Sequence, residues 1–311
     1  MCGCRFATSR HHNGTPRVRV LILGSGGMIG HQLTRAFIGE HEVWGTASGD
    51  SDDVVHFTGI ERARVFSGFE ALDTTQLTDV LDAAKPALVV NAIGLVKQSE
   101  LISDVALTVA MNVTLPRTLS RMAAERGARF IHLSTDCVFS GDKGMYTELD
   151  RPDADDEYGR SKAQGEKDLG EALVIRTSAI GREIRHFHGL VEWLLGQPPG
   201  QVPGFSEAYW SGLPTVTFAR LVAELAESAP DLTGLHHLTT NRINKYDLLG
   251  WLSAALGSRW TVVPTAEPAL DRSLDGSRLV AASGIQIPEW PDLVDELIRD
   301  SRMHDELKAA R

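Results

Sequence analysis

The sequence predicts an α/β protein with a doubly wound, parallel β-sheet and a smaller C-terminal lobe. Apolar segments of strand length alternate with amphipathic segments of helix length along residues 18–176. No hairpin signal joins consecutive strands, so the connections are expected to cross through helices, as they do in parallel sheets. With 311 residues, the chain is also longer than one hydrophobic core usually supports, which favours a second lobe.

The first predicted strand runs directly into a glycine-rich turn and a helix. Gly24, Gly27 and Gly30 recur at every third position. The first permits a tight reversal, the second allows the main chain to approach a ligand, and the third lets the helix pack against the strand. Free N–H groups at a helix N-terminus attract anions, so the turn, with Met28 and Ile29, predicts a dinucleotide pyrophosphate site. The alternative is a glycine-rich loop that binds nothing.

Later strand ends predict further parts of the same site. The second strand, 42–46, carries no carboxylate before Asp50, which favours NADPH over NADH, although no arginine is apparent for a 2′-phosphate. Asp73 follows a predicted third strand at 65–72 and suits either the adenine end of the ligand or the cap of the next helix. Small residues that allow close backbone contact follow the fourth strand: Asn91, Ala92 and Ile93.

A hydroxyl, a phenol and an amine follow the fifth strand. This strand, predicted at 129–133, leads to Thr135, and a later helix carries Tyr158 and Lys162 one turn apart on one face. A nearby ammonium favours the phenolate, so we expect Lys162 to lower the pKa of Tyr158. Such a phenol suits proton donation to a carbonyl oxygen. The spacing alone is weak evidence, and its value lies in its position after the glycine turn.

The remaining pattern divides the chain. We expect a disordered tail at 1–16, a nucleotide-binding domain at 17–178 that 213–240 completes, and a substrate-binding lobe formed by 179–212 and 241–311. A long helix is predicted at 104–127 with a kink at Pro116, and a closing helix is predicted in the last thirty residues.

Composition excludes several function classes. The net charge of −10 and the absence of a Lys/Arg block argue against nucleic acid and acidic membrane surfaces as partners. No apolar run is long enough for a membrane span, and the N-terminus has no signal-peptide pattern. Three cysteines cannot form a disulfide framework, so we expect a cytoplasmic protein. The Cys and His residues of the tail match no zinc module, and no metal site is predicted.

Together, these motifs resemble the extended short-chain dehydrogenase/reductases, and most of all the dTDP-4-dehydrorhamnose reductase group. The resemblance covers nearly everything after Arg17. Besides the glycine turn, the matching segments are Asn91-Ala92, Ser134-Thr135-Asp136, Val138-Phe139-Ser140-Gly141, residues 143–148 and residues 158–166.

The resemblance implies a Rossmann fold and a catalytic triad of Thr135, Tyr158 and Lys162. In that family's chemistry, Thr135 would hold the carbonyl, Tyr158 would protonate it, and Lys162 would bind the nicotinamide ribose. Hydride would come from NADPH or NADH, and the substrate would be a nucleotide-diphosphate ketosugar reduced at its 4-keto group. A homodimer is compatible with this interpretation.

Substrate identity is less defined. Cys137 stands where many such reductases carry tyrosine and where related 4,6-dehydratases carry glutamate. In addition to the triad, the residues that we expect to border the sugar are Lys97, Asp136, Cys137, Trp210 and Arg242. A diphosphate also needs a local cation, for which Lys245, Arg272 and Arg278 are further candidates. The alternatives are a nucleotide-sugar epimerase or dehydratase, and a non-catalytic NADP-binding regulatory subunit.

Overall fold

The computed structural model describes residues 17–185 and 187–311. The predictions for the tail at 1–16, including its cysteines and histidines, lie outside these residues. In chain order, the strands are β1 (Arg19–Leu23), β2 (Glu42–Thr46), β3 (Val65–Phe66), β4 (Leu88–Asn91), β5 (Arg129–Thr135), β6 (Leu173–Thr177), β7 (Ala179–Ile180), β8 (Gly200–Phe205), β9 (Ala208–Trp210), β10 (Leu213–Pro214), β11 (Gly234–His237), β12 (Ile243–Asn244), β13 (Trp260–Thr265) and β14 (Leu270–Asp271).

Helices connect most of these strands. They are α1 (Gly30–Ile38), α2 (Asp52–Thr58), α3 (Thr74–Ala84), α4 (Val105–Val109), α5 (Leu115–Glu125), α6 (Glu157–Gly165), α7 (Leu190–Gly196), α8 (Thr215–Ser228), α9 (Lys245–Ala255), α10 (Ser277–Ser283) and α11 (Leu293–Ala309). None of those in the described ranges is long and apolar enough to cross a membrane.

A seven-stranded parallel sheet forms the centre of the molecule, in the order β11-β6-β5-β4-β1-β2-β3. The predicted doubly wound α/β fold is therefore confirmed. The chain builds outward from β1 to β3, then returns to β4 on the other side of β1. This reversal opens a crevice between β1 and β4 at the carboxyl edge, where doubly wound sheets bind ligands. The glycine turn after β1 lies at that crevice.

Both faces of the sheet are covered, which explains why β1 is apolar throughout. Val20 and Ile22 belong to one core cluster, together with residues of α1, α8 and α11. Leu21 and Leu23 belong to another cluster, with residues of α3 and α5. Alternate side chains thus enter opposite cores, as expected for a strand buried on both sides.

The smaller lobe consists of short sheets beside the carboxyl edge of the main sheet. β8 pairs in parallel with β13, and β9 lies between β12 and β14. The helix α9 packs against β8 and β13. Between two passages through this lobe, the chain returns to the main sheet, where β11 pairs with β6.

Two predicted elements differ in the structure. The third strand is limited to Val65–Phe66, which pair with Gly45 and Thr46, because the chain then turns at Gly68 with φ of 65°. The long helix is interrupted by a π-helical segment at Ala110–Thr114. This irregularity lies just before Pro116, where the sequence predicts a kink.

Candidate active site

The glycine turn has the predicted backbone geometry. Gly24 adopts φ of 86°, which favours glycine, and its carbonyl accepts the N–H of Gly27 at 3.0 Å. A Cβ on Gly30 would lie 1.9 Å from the carbonyl oxygen of Gly24. Glycine at position 30 is therefore required for α1 to start this close to β1, and the predicted packing role is confirmed.

A cavity of about 470 Å³ lies over this turn. It is lined by Gly24, Gly26 and Gly27 of the turn, Thr46, Ala47 and Ser48 after β2, residues 69–72, Ala92, Ile93 and Gly94 after β4, Met111, and Arg185. Its position and the three glycines of the turn that line it fit an extended dinucleotide, because the backbone can approach the ligand there without a side chain between them.

Seven of the predicted coenzyme residues do not line this cavity within the described chain: Met28, Ile29, Gly30, Asp73, Asn91, Tyr158 and Lys162. The carboxylate of Asp73 accepts the backbone N–H groups of Thr75 at 2.8 Å and Gln76 at 3.3 Å, so Asp73 caps α3. Asn91 is fully buried, and its side-chain oxygen accepts the N–H of Ile93 at 3.0 Å. Asn91 therefore shapes the turn after β4.

Thr135 and Tyr158 are brought together at the carboxyl end of β5. Thr135 Oγ1 donates to Asp136 Oδ1 at 3.1 Å and accepts the N–H of Cys137 at 3.1 Å. Burial raises the pKa of the Tyr158 phenol, and the charges of Cys137 and Asp136 raise it further, whereas a hydrogen bond with Thr135 opposes them. A phenol with a raised pKa stays protonated at neutral pH and can donate a proton.

The helix that carries Tyr158 packs unusually close to its neighbours. A Cβ on Gly159 would lie 2.1 Å from the carbonyl oxygen of Cys137, and one on Gly165 would lie 1.9 Å from that of Asn112. Asn112 lies in the π-helical segment, and its side chain donates to Ser161 Oγ at 3.0 Å and bonds both backbone groups of Leu95. These contacts fix α6 against the loop after β4.

Lys162 does not act on Tyr158 as the sequence predicts. Its Nζ donates to the backbone oxygen of Leu133 at 2.7 Å, and the pKa of Tyr158 is raised, chiefly by burial. Burial lowers the pKa of Lys162 to about 8, while the charge of Glu166 opposes that shift. The expected lowering of the phenol pKa is therefore wrong for the protein alone. A Cβ on Gly94 would lie 3.8 Å from Nζ, so the amine is adjacent to the end of the cavity.

A buried ion pair behind Lys162 was not predicted from the sequence. Glu166 accepts Arg176 Nε at 2.8 Å and Nη2 at 2.6 Å, and also the hydroxyl of Ser134 at 2.5 Å. The Arg176 guanidinium stacks over Phe139 with 5.0 Å to the ring centroid. This pair joins α6 to β5 and β6. The match of residues 158–166 to the family motif includes Glu166, but its spacing gives no indication of a partner on β6.

The expected sugar side of the site contains two cations around one buried carboxylate. Burial raises the pKa of Asp136, and the positive charges of Lys245 and Arg272 oppose that shift. Burial lowers the pKa of Lys245 to about 8, and its Nζ lies 3.7 Å from the ring centroid of Trp210. Burial raises the pKa of the Cys137 thiol to about 12. The structure thus brings Asp136, Cys137, Trp210 and Lys245 together near Thr135.

Other candidate substrate residues have protein partners. Lys97 Nζ donates to Asp156 Oδ2 at 2.7 Å, and Asp156 in turn caps α6 through the N–H of Gly159. Arg242 pairs with Asp271 at 2.6 Å and stacks on Tyr209. Arg278 lies exposed on α10. Nowhere in 17–185 or 187–311 do three or more potential metal ligands of the His, Cys, Asp or Glu type cluster.

Comparison with known proteins identifies a family and several similar proteins. The sequence pattern of the family described as RmlD substrate binding domain matches residues 18–303. The chain is 25% identical to methionine adenosyltransferase 2 subunit beta of Mus musculus over 319 aligned residues, which cover 93% of this chain and 92% of that protein. It is 31% identical to dTDP-4-dehydrorhamnose reductase of Mycobacterium tuberculosis over 171 residues, which cover 52% of this chain and 50% of that enzyme.

Solved structures show the same fold. The dTDP-4-dehydrorhamnose reductase of Bacillus anthracis, solved in complex with NADP, superposes with a TM-score of 0.75 over 92% of this chain and 100% of that chain, at 17% identity. The enzyme WbmG of Bordetella bronchiseptica, solved with NAD and UDP, gives a TM-score of 0.74 over 93% of this chain and 95% of that chain, at 20% identity.

Proposed function

Since the chain belongs to the family of the RmlD substrate binding domain, we propose that it is an NAD(P)H-dependent reductase of the 4-keto group of a nucleotide-linked deoxysugar. The observation that carries this proposal is the position of Thr135, Tyr158 and Lys162. The first two meet at the end of β5, and Lys162 lies beside Gly94 at the end of the cavity. When bound, the nicotinamide coenzyme supplies the hydride.

The chain's own residues would supply binding and the proton. The glycine turn and the segments after β2 and β4 would hold the coenzyme. Thr135 would donate a hydrogen bond to the substrate carbonyl, and the protonated Tyr158 would deliver a proton to its oxygen. Lys162, anchored on Leu133, would bind the nicotinamide ribose as an ammonium below its pKa of about 8.

The charges around Asp136 support an anionic substrate. Lys245 and Arg272 both act on Asp136, so two cations face one carboxylate beside Thr135. On a chain of net charge −10, this local excess of positive charge is what a nucleotide diphosphate requires. Trp210 is only 3% exposed and has the Lys245 amine over its ring, so it supports that amine rather than presenting a face to the sugar.

The protonation state of the Cys137 thiol favours reduction over dehydratase or epimerase chemistry. Elimination or inversion next to a ketone requires a base that removes a C–H proton. A thiol with a pKa of about 12 is not a base at neutral pH, and the charges of Lys245 and Arg272 keep Asp136 a weaker base than its burial alone would make it. We therefore expect NAD(P)H to be consumed in proportion to ketosugar, with no deuterium entering the sugar carbons from solvent above a no-enzyme control. Deuterium at C5 without net coenzyme oxidation would instead support an epimerase or dehydratase.

The direct test is a set of nucleotide-linked 4-ketosugars assayed by NADPH and NADH oxidation. Tyr158→Phe should reduce kcat about 10²- to 10⁴-fold, the usual effect of losing a positioned proton donor. Its Kd for the coenzyme should stay within about threefold, because the ring remains and only the hydroxyl is lost. Full activity of this variant would refute the assignment of Tyr158.

A second candidate function is a non-catalytic NADP-binding regulatory subunit. It is favoured by the length of the similarity to the mouse methionine adenosyltransferase 2 subunit beta, which extends over nearly the whole chain, whereas the mycobacterial reductase aligns over about half. Coenzyme binding without turnover of any ketosugar would support this second function. Turnover that depends on Tyr158 would support the reductase.

A further inference from the structure

Arg185 reaches the coenzyme cavity from a distant part of the chain. It follows β7, yet its side chain lines the cavity next to the segment after β2. A Cβ on Gly49 would lie 3.2 Å from Arg185 Nη1, and one on Gly26 would lie 3.9 Å from the same atom. The guanidinium thus lies between the glycine turn and the end of β2, the place where doubly wound folds recognise the adenosine ribose.

Hydrogen bonds hold two of the three guanidinium nitrogens. Nε donates to Asp53 Oδ2 at 3.2 Å, and Nη2 donates to the backbone oxygen of Asp50 at 2.6 Å. The third nitrogen, Nη1, makes no hydrogen bond to any described residue. It is the guanidinium nitrogen that faces Gly26 and Gly49. The side chain is about a quarter exposed, so this nitrogen can be reached by a ligand in the cavity.

Arg185 shares its carboxylate partner with a second arginine, although the three aspartates and three arginines of this region balance in charge. Asp53 is shared by Arg185 and Arg311, so two guanidinium groups meet one carboxylate. Asp52 pairs with Arg62 at 2.5 Å, and Asp50 Oδ1 accepts the N–H of Asp52 at 2.7 Å at the start of α2. Asp50, Asp52 and Asp53 do not line the cavity, and the acidic residue that does is Glu70, which follows β3 rather than β2, where a ribose diol would otherwise be bound.

We propose that Arg185 binds the 2′-phosphate of NADPH through Nη1, with the exposed hydroxyl of Ser48 as a second donor, and that this contact makes the chain prefer NADPH over NADH. The inference rests on the coenzyme site of the proposed function. A guanidinium offers the fixed, charged donors that a phosphate dianion requires, and NADH has a neutral hydroxyl at the same position.

The test measures the Kd of NADPH and of NADH for the full chain, without turnover, in the wild type and in Arg185→Gln. Loss of a charge-assisted hydrogen bond should raise the Kd of NADPH about 10- to 100-fold and change that of NADH by less than about twofold. Arg185→Lys, which keeps the charge without the planar fork, should retain part of the preference. The preference of the wild type should also fall with increasing salt.

Arg311→Gln is the matched control. It removes the other guanidinium on Asp53 but lies outside the cavity lining, so both Kd values should change by less than about threefold. Equal weakening of NADPH and NADH by Arg185→Gln, or no change in either, would overturn the role of Arg185 and leave the reductase function intact. A wild type that binds neither coenzyme would overturn both proposals.

Discussion

Replacing Glu166 with glutamine tests how α6 is held against the sheet. The substitution keeps the shape of the side chain but removes its charge, and so leaves Arg176 without its counter-ion. The two side chains are only 2% and 6% exposed, so water cannot take the place of the lost carboxylate. The neutral amide of the glutamine would also accept a weaker hydrogen bond from the hydroxyl of Ser134 on β5 than the carboxylate does.

Removing one partner of a buried ion pair costs about 3–5 kcal/mol, because the remaining charge is desolvated without compensation. We therefore expect the free energy of unfolding in urea to fall by about this amount in Glu166→Gln. The charge of Glu166 also raises the pKa of Lys162, so the variant should lower that pKa below about 8. The loss of kcat/KM at alkaline pH should accordingly begin at a lower pH.

Glu157→Gln is the control on the same helix. Glu157 pairs with Arg160 at 3.4 Å in an exposed position, so its loss should cost less than about 1 kcal/mol. Replacing both buried partners, as Glu166→Leu with Arg176→Met, should recover most of the stability, because no isolated charge remains. A loss of less than about 1 kcal/mol in Glu166→Gln would refute the argument from burial.

Three further outcomes follow from the geometry. Activity of the wild type should decline above pH of about 8, as Lys162 loses the charge that would hold the ribose, and a flat kcat/KM profile through that range would contradict this role. Gly165→Ala places a Cβ 1.9 Å from the oxygen of Asn112 and should displace α6 enough to lower kcat about 10²-fold, whereas Gly39→Ala, with no atom within 4 Å, should keep full activity. Asp73→Ala should lower the urea midpoint through loss of the α3 cap and leave the Kd of NADPH unchanged, and a weaker Kd would show an adenine contact instead.

The fold could be predicted because its signals are local. Alternating strands and helices imply a parallel sheet, and parallel strands place their carboxyl ends on one edge. It can therefore be predicted, without any knowledge of long-range contacts, that Gly24, Thr135 and the cavity residues after β4 lie close together. The required glycine at position 30 follows from the same local pattern of strand, turn and helix.

Contacts between distant segments could not be predicted in this way. Helical spacing places Tyr158 and Lys162 on one face but says nothing of the backbone oxygen of Leu133, which the amine binds instead. Arg185 bonds Asp50 across 135 positions of sequence, and no periodic pattern connects them. The short β3 likewise depends on where its partner β2 ends, which only the pairing register defines.

The pairing of β11 with β6 also implies that β11 joins the sheet late in folding. Gly234 lies opposite Leu173, so about sixty residues, which include part of the smaller lobe and α8, are synthesised between these two paired positions. Until they have been made, the edge of β6 has no partner and exposes backbone groups that can pair with another chain. Contacts this distant in sequence close slowly, because a long loop must be ordered first. Addition of this last strand, rather than formation of the glycine turn, is therefore expected to limit the rate of refolding and to be the stage most prone to aggregation.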